Sequence, residues 1–369
     1  MKKRTLLLTL SLTVAIAMVG CGKKEAATEE PATVETVDPF GQQGEEATTE
    51  AAEEVTDEIP EGMVRSDLTN ELIDASIEKQ RPIAAMVDNE LTALPHYGLA
   101  EADVVYEMMN STKNGRITRL MVLVKDWEKI EQLGSIRSVR PTNILLAAEW
   151  NAVLCHDGGP FYIDPYLAND YAAHFSGTFS RVNNGKAREY TEYIVKGDLD
   201  KNFKNSKYST EYDEFYTGPH YKFASPSSPV DLSKNSDSKD ATKIELPFEH
   251  NKSNLQYNAD TQTYDYYEYG KAHKDGEDDE VLTFKNVLLQ SCSFHQYDEN
   301  GYMIYNCLAA DQEGYYITDG KAIPVTWTKL GETAVTQYFD ADGNEITINT
   351  GKTYVALVPD DTWDDVVIE

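Results

Sequence analysis

Residues 22 to 65 set the frame for everything after them. They are rich in Glu, Ala, Thr and Pro, show no apolar period and carry almost no aromatic side chain. Such a stretch cannot bury enough apolar surface to offset the entropy of ordering it. Its thirteen acidic residues stand against only Lys23, Lys24 and Arg65, and self-repulsion keeps a linker of this kind extended. It reads as a tether over 21–65. About 300 residues beyond it are left to fold, enough for one large domain or two ordinary ones.

What the tether hangs from lies upstream. Lys2, Lys3 and Arg4 precede an apolar run from Leu6 to Val19 that stops at Gly20 and Cys21, the layout of a secretory signal peptide over 1–20. The run is shorter than the roughly 20 residues a membrane-spanning helix needs. Met18-Val19-Gly20-Cys21 is similar to the lipobox read by lipoprotein signal peptidase. The expectation is therefore cleavage before Cys21, lipid on its thiol, and a chain anchored to the membrane through that lipid on its extracytoplasmic face.

The formal net charge of −30 excludes nucleic acid as a partner, since a phosphate backbone is bound by clustered Lys and Arg and would be repelled here. Anionic polymers of the envelope would be repelled in the same way except at local basic pockets. No HExxH, paired CxxC, P-loop, GxSxG or dinucleotide fingerprint occurs, so no cofactor and no metal are implied.

The folded part divides by pattern. Short apolar runs at 82–87, 104–106, 120–124 and 152–155 read as buried strands. Asn114-Gly115 between the second and third predicts an antiparallel hairpin, hence a mixed sheet. Pro141 to Trp150 is apolar nearly all round and predicts a buried helix; further helices are expected over 163–173 and 190–203. These features give an α/β or α+β domain over 66–225. A Ser-, Pro-, Asp- and Lys-rich segment at 226–241 reads as a linker. Alternating Tyr- and Val-rich segments with turn signals then predict a mainly β domain over 242–369.

Apart from Cys21 the cysteines are Cys155, Cys292 and Cys307. Cys292 and Cys307 flank the turn signal Asp298 to Gly301. A turn centred on Glu299-Asn300 sets them directly opposite, whereas a three-residue turn with Gly301 left-handed shifts the pairing by one. They pair as a disulfide or stay two buried thiols. Asp340 to Glu345 looks like a calcium loop but has its Gly at the fourth place and not the sixth, which favours a hairpin turn.

Candidate site residues gather where strands end. Val87 gives way to Asp88-Asn89, and Cys155 to His156-Asp157-Gly158-Gly159. Ligands of open α/β sheets lie at such edges, and Gly158 and Gly159 would let one approach the backbone. In Ser135 to Pro141, Pro141 suits the first turn of a helix and holds Arg140 extended. Arg137 and Arg140 could then close on a carboxylate or phosphate beside the helix N-terminus. The competing reading pairs them internally with Asp88, Glu107 or Glu149. Cys155, His156 and Asp157 cannot form a triad among themselves, because consecutive strand residues point to opposite faces.

The segments 81–89, 98–107 and 116–120, the last holding Arg119, resemble the YerB-like lipoproteins of Gram-positive bacteria, a two-domain family of unknown function. Residues 135–141 and 156–159 continue the resemblance in the same order, and 323–327, 338–343 and 349–354 extend it into the second half. It implies the address, the two-domain plan and the site segments, Arg119 and Glu107 among them, and no reaction. The family often has a small or hydrophobic residue where Cys155 stands, which argues against a thiol mechanism. The reading that results is a tethered binding or scaffold lipoprotein whose first domain holds a small anionic ligand or meets an envelope protein. The alternative is an enzyme acting on envelope material with Asp88, Glu107 or His156 as acid or base.

Overall fold

The computed structural model describes residues 57–369; the signal peptide, Cys21 and nearly all of the tether lie outside the described residues. Met63–Arg65 pairs antiparallel with Leu72–Asp74, and Asp57 accepts hydrogen bonds from Ser225 and Ser227. Folded structure therefore begins before residue 66, earlier than the sequence places it.

The central sheet has eleven strands: β1 Ile83–Asp88, β2 Val104–Met109, β3 Thr118–Val124, β4 Val153–His156, β5 His174–Ser176, β6 Lys239–Asp240, β7 Asn286–Cys292, β8 Gln312–Thr318, β9 Lys321–Thr328, β10 Gln337–Phe339 and β11 Thr353–Pro359. Their order is β6-β9-β8-β7-β11-β2-β3-β1-β4-β5, with β10 beside β9. β3 is antiparallel to β1 and β2, while β4 is parallel to β1, so the sheet is mixed as expected. Asn114 and Gly115 take φ of 55° and 66°, the left-handed region their turn demands. β11 runs parallel to β2 with Val355 facing Tyr106, so strands from both sides of 226–241 join in one hydrogen-bonded sheet. That segment is itself partly built in, through buried Leu232 and through β6 on β9.

β1, β2 and β3 are buried at every position, which explains why they read as continuous apolar runs and not as alternating ones. One face is covered by α1, Pro141–Glu149, all nine of whose residues are buried, together with Trp150, Tyr305, Trp327 and Tyr338. The other face meets a smaller antiparallel sheet of the C-terminal half, which brings Leu255, Tyr264, Tyr266 and Phe284 against Val105, Leu120 and Val122. The first half thus combines a mixed sheet with helices, and the second is mainly strands.

Two helices fall short of expectation. The one expected over 163–173 is only α2, Asp164–Leu167, because the chain beyond it turns to feed β5. The one expected over 190–203 splits into a strand, Glu192–Val195, and α3, Asp198–Lys204. Ile194 and Val195 are β-branched and pair with Leu133 and Gln132, and Gly197 at φ 86° separates strand from helix. Sheet pairing here overrides helical propensity.

At the 298–301 turn, Phe294 faces Tyr305 and Gln296 faces Met303. Carried outward, that register sets Cys292 across from Cys307; both thiols are buried and free. At 340–344 the Asp340 carboxylate accepts from the backbone N–H of Asp342 and Asn344, an Asx-type turn. Among the described residues no helix is long and apolar enough to cross a membrane.

Candidate functional site

Strand pleating sorts the candidate residues onto two faces. Met86, Met121 and Leu154 pack on the α1 side of the sheet, and alternation carries Asp88, Arg119 and His156 to that same side. Val105 packs on the other side, and Glu107 follows it there. Asn89 joins Glu107, donating to Glu107 Oε1 at 3.3 Å and to Thr118 Oγ1 at 2.9 Å. The single pocket implied by the sequence is therefore two separate groups.

Glu107 is fully buried and accepts from Thr118 (2.9 Å), Asn251 (2.7 Å), Tyr266 (2.9 Å) and Tyr354 (2.6 Å) as well as Asn89. With both oxygens engaged by neutral donors from both halves of the chain, it has no lone pair left for a substrate proton. This node ties the small sheet to the large one.

On the α1 face the segment 135–139 is clamped between two strand ends. Arg137 N–H donates to Met86 O (2.8 Å), Asp157 N–H to Arg137 O (3.0 Å), and Val139 N–H to Gly158 O (3.1 Å). This holds Arg137, Arg140 and Arg119 together. Arg137 is internally paired, its Nε 2.8 Å from Asp88 Oδ2 and its NH1 3.2 Å from Glu189 Oε2. Arg140 is not: its Nε donates to Asn110 O (3.1 Å), its NH1 to Val139 O (2.9 Å), and its guanidinium lies 5.0 Å from the Tyr302 ring centroid. Arg119 NH1 donates to Ser138 O (2.6 Å) and Asn110 Oδ1 (3.2 Å), and its Nε has no partner among the described residues.

Among the described residues neither Arg119 nor Arg140 has a carboxylate within ion-pair distance, although both are more than nine-tenths buried. Burial, with Arg119 alongside, holds Arg140 down at about 9. Burial holds Arg119 at about 10, against the pull of Asp88. Glu149, the other carboxylate considered for these arginines, instead pairs with Lys329 (3.1 Å) and His220 (3.2 Å).

His156 is buried with Nδ1 2.8 Å from Gly158 O. A carbonyl can only accept, so the proton sits on Nδ1 and Nε2 is a bare, unpartnered acceptor. Burial lowers its pKa to about 4, so it is neutral. Gly158, at φ 68°, faces open space, but a Cβ on Gly159 would come 2.5 Å from Ile163 Cδ1 and 3.1 Å from Val139 O. Gly159 therefore serves packing, not ligand approach. Cys155 is buried and its thiol is pushed up by desolvation, leaving no reactive thiolate.

Two contributors were not singled out from sequence. Asn110 follows β2 and accepts from both unpaired arginines, a polar residue at a strand end like Asp88. Tyr302 comes from the turn near Asp298 in the second half, and no local pattern places it under Arg140. Beside Tyr302 stands Tyr162, which stacks on Tyr297 with centroids 4.3 Å apart. Tyr162 and Tyr297 border a cleft of about 470 Å³ lined also by Phe161, Pro165 and Tyr166.

The chain resembles known proteins along most of its length. "Putative lipoprotein YerB" of Bacillus subtilis (strain 168) is 24% identical over 310 residues, 80% of this chain and 87% of that protein. The crystal structure of YerB protein from Bacillus subtilis superposes with a TM-score of 0.70 at 20% identity, covering 83% of this chain and 99% of that one, so the fold is shared. Residues 68–209 match the N-terminal domain, and residues 244–355 the C-terminal domain, of a family described as protein of unknown function (DUF3048). With both matches in chain order and together covering over half of its length, the chain belongs to the DUF3048 family of YerB-like proteins.

Proposed function

We propose that this chain is a membrane-tethered lipoprotein of the extracytoplasmic face whose first half binds a small anion, phosphate or carboxylate, at Arg119 and Arg140. The carrying observation is that, among the described residues, two buried guanidiniums lack any carboxylate partner in ion-pair range, in a chain with 63 acidic and 33 basic residues. Buried charges are ordinarily paired. With carboxylates in such surplus, leaving two arginines without one favours an exchangeable anion as their counter-charge. Arg137, already neutralised by Asp88, positions the segment, and Asn110 orients both free guanidiniums. Bidentate recognition by planar guanidinium groups suits oxyanions. The Tyr302–Tyr162 rings offer a face for whatever the anion is attached to.

Calorimetric titration with inorganic phosphate, sulfate and acetate tests this reading. Binding of at least one oxyanion by the wild type, lost in Arg140→Met, supports it; absence of binding by all three overturns it. The lipid anchor rests on Cys21, on the leader before it and on the lipoprotein name of the Bacillus relative. Expressed in a Gram-positive host, the chain should partition into detergent, and Cys21→Ala should abolish that; equal partitioning of both would place the anchor elsewhere.

A further inference from the structure

Behind Asp88, on the face that carries Glu107, three side chains that no proposed role uses converge. His96 Nδ1 lies 2.9 Å from His273 Nε2, and Glu268 Oε1 lies 3.8 Å from His273 Nε2 and 4.0 Å from His96 Nδ1. All three are at least 96% buried, with His96 fully so. One nitrogen or oxygen from each falls within 4.8 Å of the others.

The protonation pattern follows from the acceptors. His96 Nε2 sits 2.6 Å from the Asp88 carbonyl oxygen, which can only accept, so Nε2 carries the proton and Nδ1 is the acceptor that faces the cluster, where His273 Nε2–H donates to it until a metal ion takes that lone pair. A backbone carbonyl on the far ring nitrogen is the arrangement that orients histidine toward a metal ion. Glu268 supplies the second, independent sign. Among the described residues neither of its oxygens has a partner at hydrogen-bond geometry, although the residue is 2% exposed. The Asn251 amide beside it pulls on Glu268 but donates its hydrogen bond to Glu107 at 2.7 Å. A buried carboxylate with no donor on either oxygen is rare in folded proteins and asks for a cation.

Glu268 and His273 also line a cavity of about 870 Å³, shared with His250, Asn251 and Lys252 and bordered by exposed Leu91. His96, fully buried, contacts His273 and does not itself line the cavity.

We infer that His96, Glu268 and His273 form a site for one divalent transition-metal ion, zinc above all, with a coordination position open toward that cavity. Two histidines and one carboxylate are the donor types zinc takes, at about 2.0–2.2 Å each. Two nitrogens on a tetrahedral zinc stand about 3.3 Å apart, so the 2.9 Å contact between these two opens by a few tenths of an ångström as the shared proton leaves. The Glu268 carboxylate, held by nothing, has to close toward the histidines to complete the set. Three protein ligands with a fourth place facing a cavity distinguish an exchangeable, substrate-accessible ion from a closed structural one. A second carboxylate, Glu107, lies close by, but its oxygens are taken by neutral donors, which leaves Glu268 as the ligand.

The test uses the full chain, purified in detergent without a histidine tag, stripped with a chelator and titrated with Zn²⁺ and Co²⁺ in excess magnesium. One equivalent should bind, and bound Co²⁺ should show the intense visible bands of four- or five-coordinate geometry. Glu268→Gln is nearly isosteric, and its fold is checked by circular dichroism. It should weaken Zn²⁺ binding at least tenfold, as should His273→Ala, while His250→Ala on the same cavity leaves it unchanged. Should His273→Ala fail to fold, a zinc-edge anomalous map of wild-type crystals decides in its place. Binding no stronger than that of magnesium overturns the inference. So does unchanged affinity in folded Glu268→Gln, or an anomalous peak away from these three residues.

Discussion

Replacing Arg140 with Met separates an anion site from a structural ion-pair network. The methionine keeps an apolar stem of similar length and removes the charge. A guanidinium held at about 9 in place of its ordinary 12.5 corresponds to about 4–5 kcal/mol of disfavoured charge, an upper bound. Against that stand two hydrogen bonds from a charged donor, to Asn110 O and Val139 O, worth about 1.5–3 kcal/mol each. The Tyr302 contact adds about 0.5–2 kcal/mol. At mid-range the favourable terms exceed the cost by about 1 kcal/mol, so the variant should lose less than about 2 kcal/mol of unfolding free energy. An arginine serving as half of a buried ion pair would instead leave a stranded carboxylate and lose about 3–5 kcal/mol. Urea unfolding in phosphate- and sulfate-free buffer reads this directly. Added oxyanion at a hundred times its dissociation constant should stabilise the wild type by about 2.7 kcal/mol and leave the variant unmoved. A loss of 3 kcal/mol or more in anion-free buffer, with no stabilisation of the wild type by oxyanion, would refute the reasoning.

Three further outcomes follow from the buried charges and thiols. Burial pushes Glu149 up, but Lys329 and His220 outweigh it and hold the carboxyl at about 2; Lys329→Met should therefore cost about 3–5 kcal/mol in urea unfolding, and adding Glu149→Gln should restore most of it. His156 has a folded pKa lowered by burial to about 4 from 6.5, so the unfolded chain takes up a proton first. Stability should fall as pH drops from 6.5 toward 4, by up to about 3 kcal/mol from this residue, and His156→Gln should remove that share of the slope while the share of buried His96 and His273, lowered in the same way, remains. Cys155, Cys292 and Cys307 are free and buried, so the Cys21→Ala chain should show no reactive thiol when native and three in denaturant, whereas a count of one would mean that Cys292 and Cys307 are bonded.

How far the sequence disclosed this molecule depended on whether a feature is local. β1, β3 and β4 were legible because strands buried on both faces leave unbroken apolar runs, and α1 because Pro141 marks its start. The segment 190–203 misled because Ile194 and Val195 are committed by pairing to Leu133 and Gln132, distant in the chain. Nothing local announces that β11 lies along β2, and so nothing local announces that both halves share one sheet. The division of the site was legible in principle. The alternation that denies Cys155, His156 and Asp157 a common face equally separates Asp88 from Asn89. Tyr302 beneath Arg140, and His273 against His96 across 177 residues of chain, come together only through the tertiary fold.

Diffraction from crystals soaked in selenate, recorded at the selenium edge, locates an oxyanion at Arg119 and Arg140 without inference, because the ion reports its own position. An anomalous peak within hydrogen-bond distance of Arg119 and Arg140 in the wild type, absent from Arg140→Met crystals, is the predicted result. Wild-type crystals that bind selenate elsewhere but leave those two guanidiniums bare, or variant crystals that keep the same peak, would contradict it.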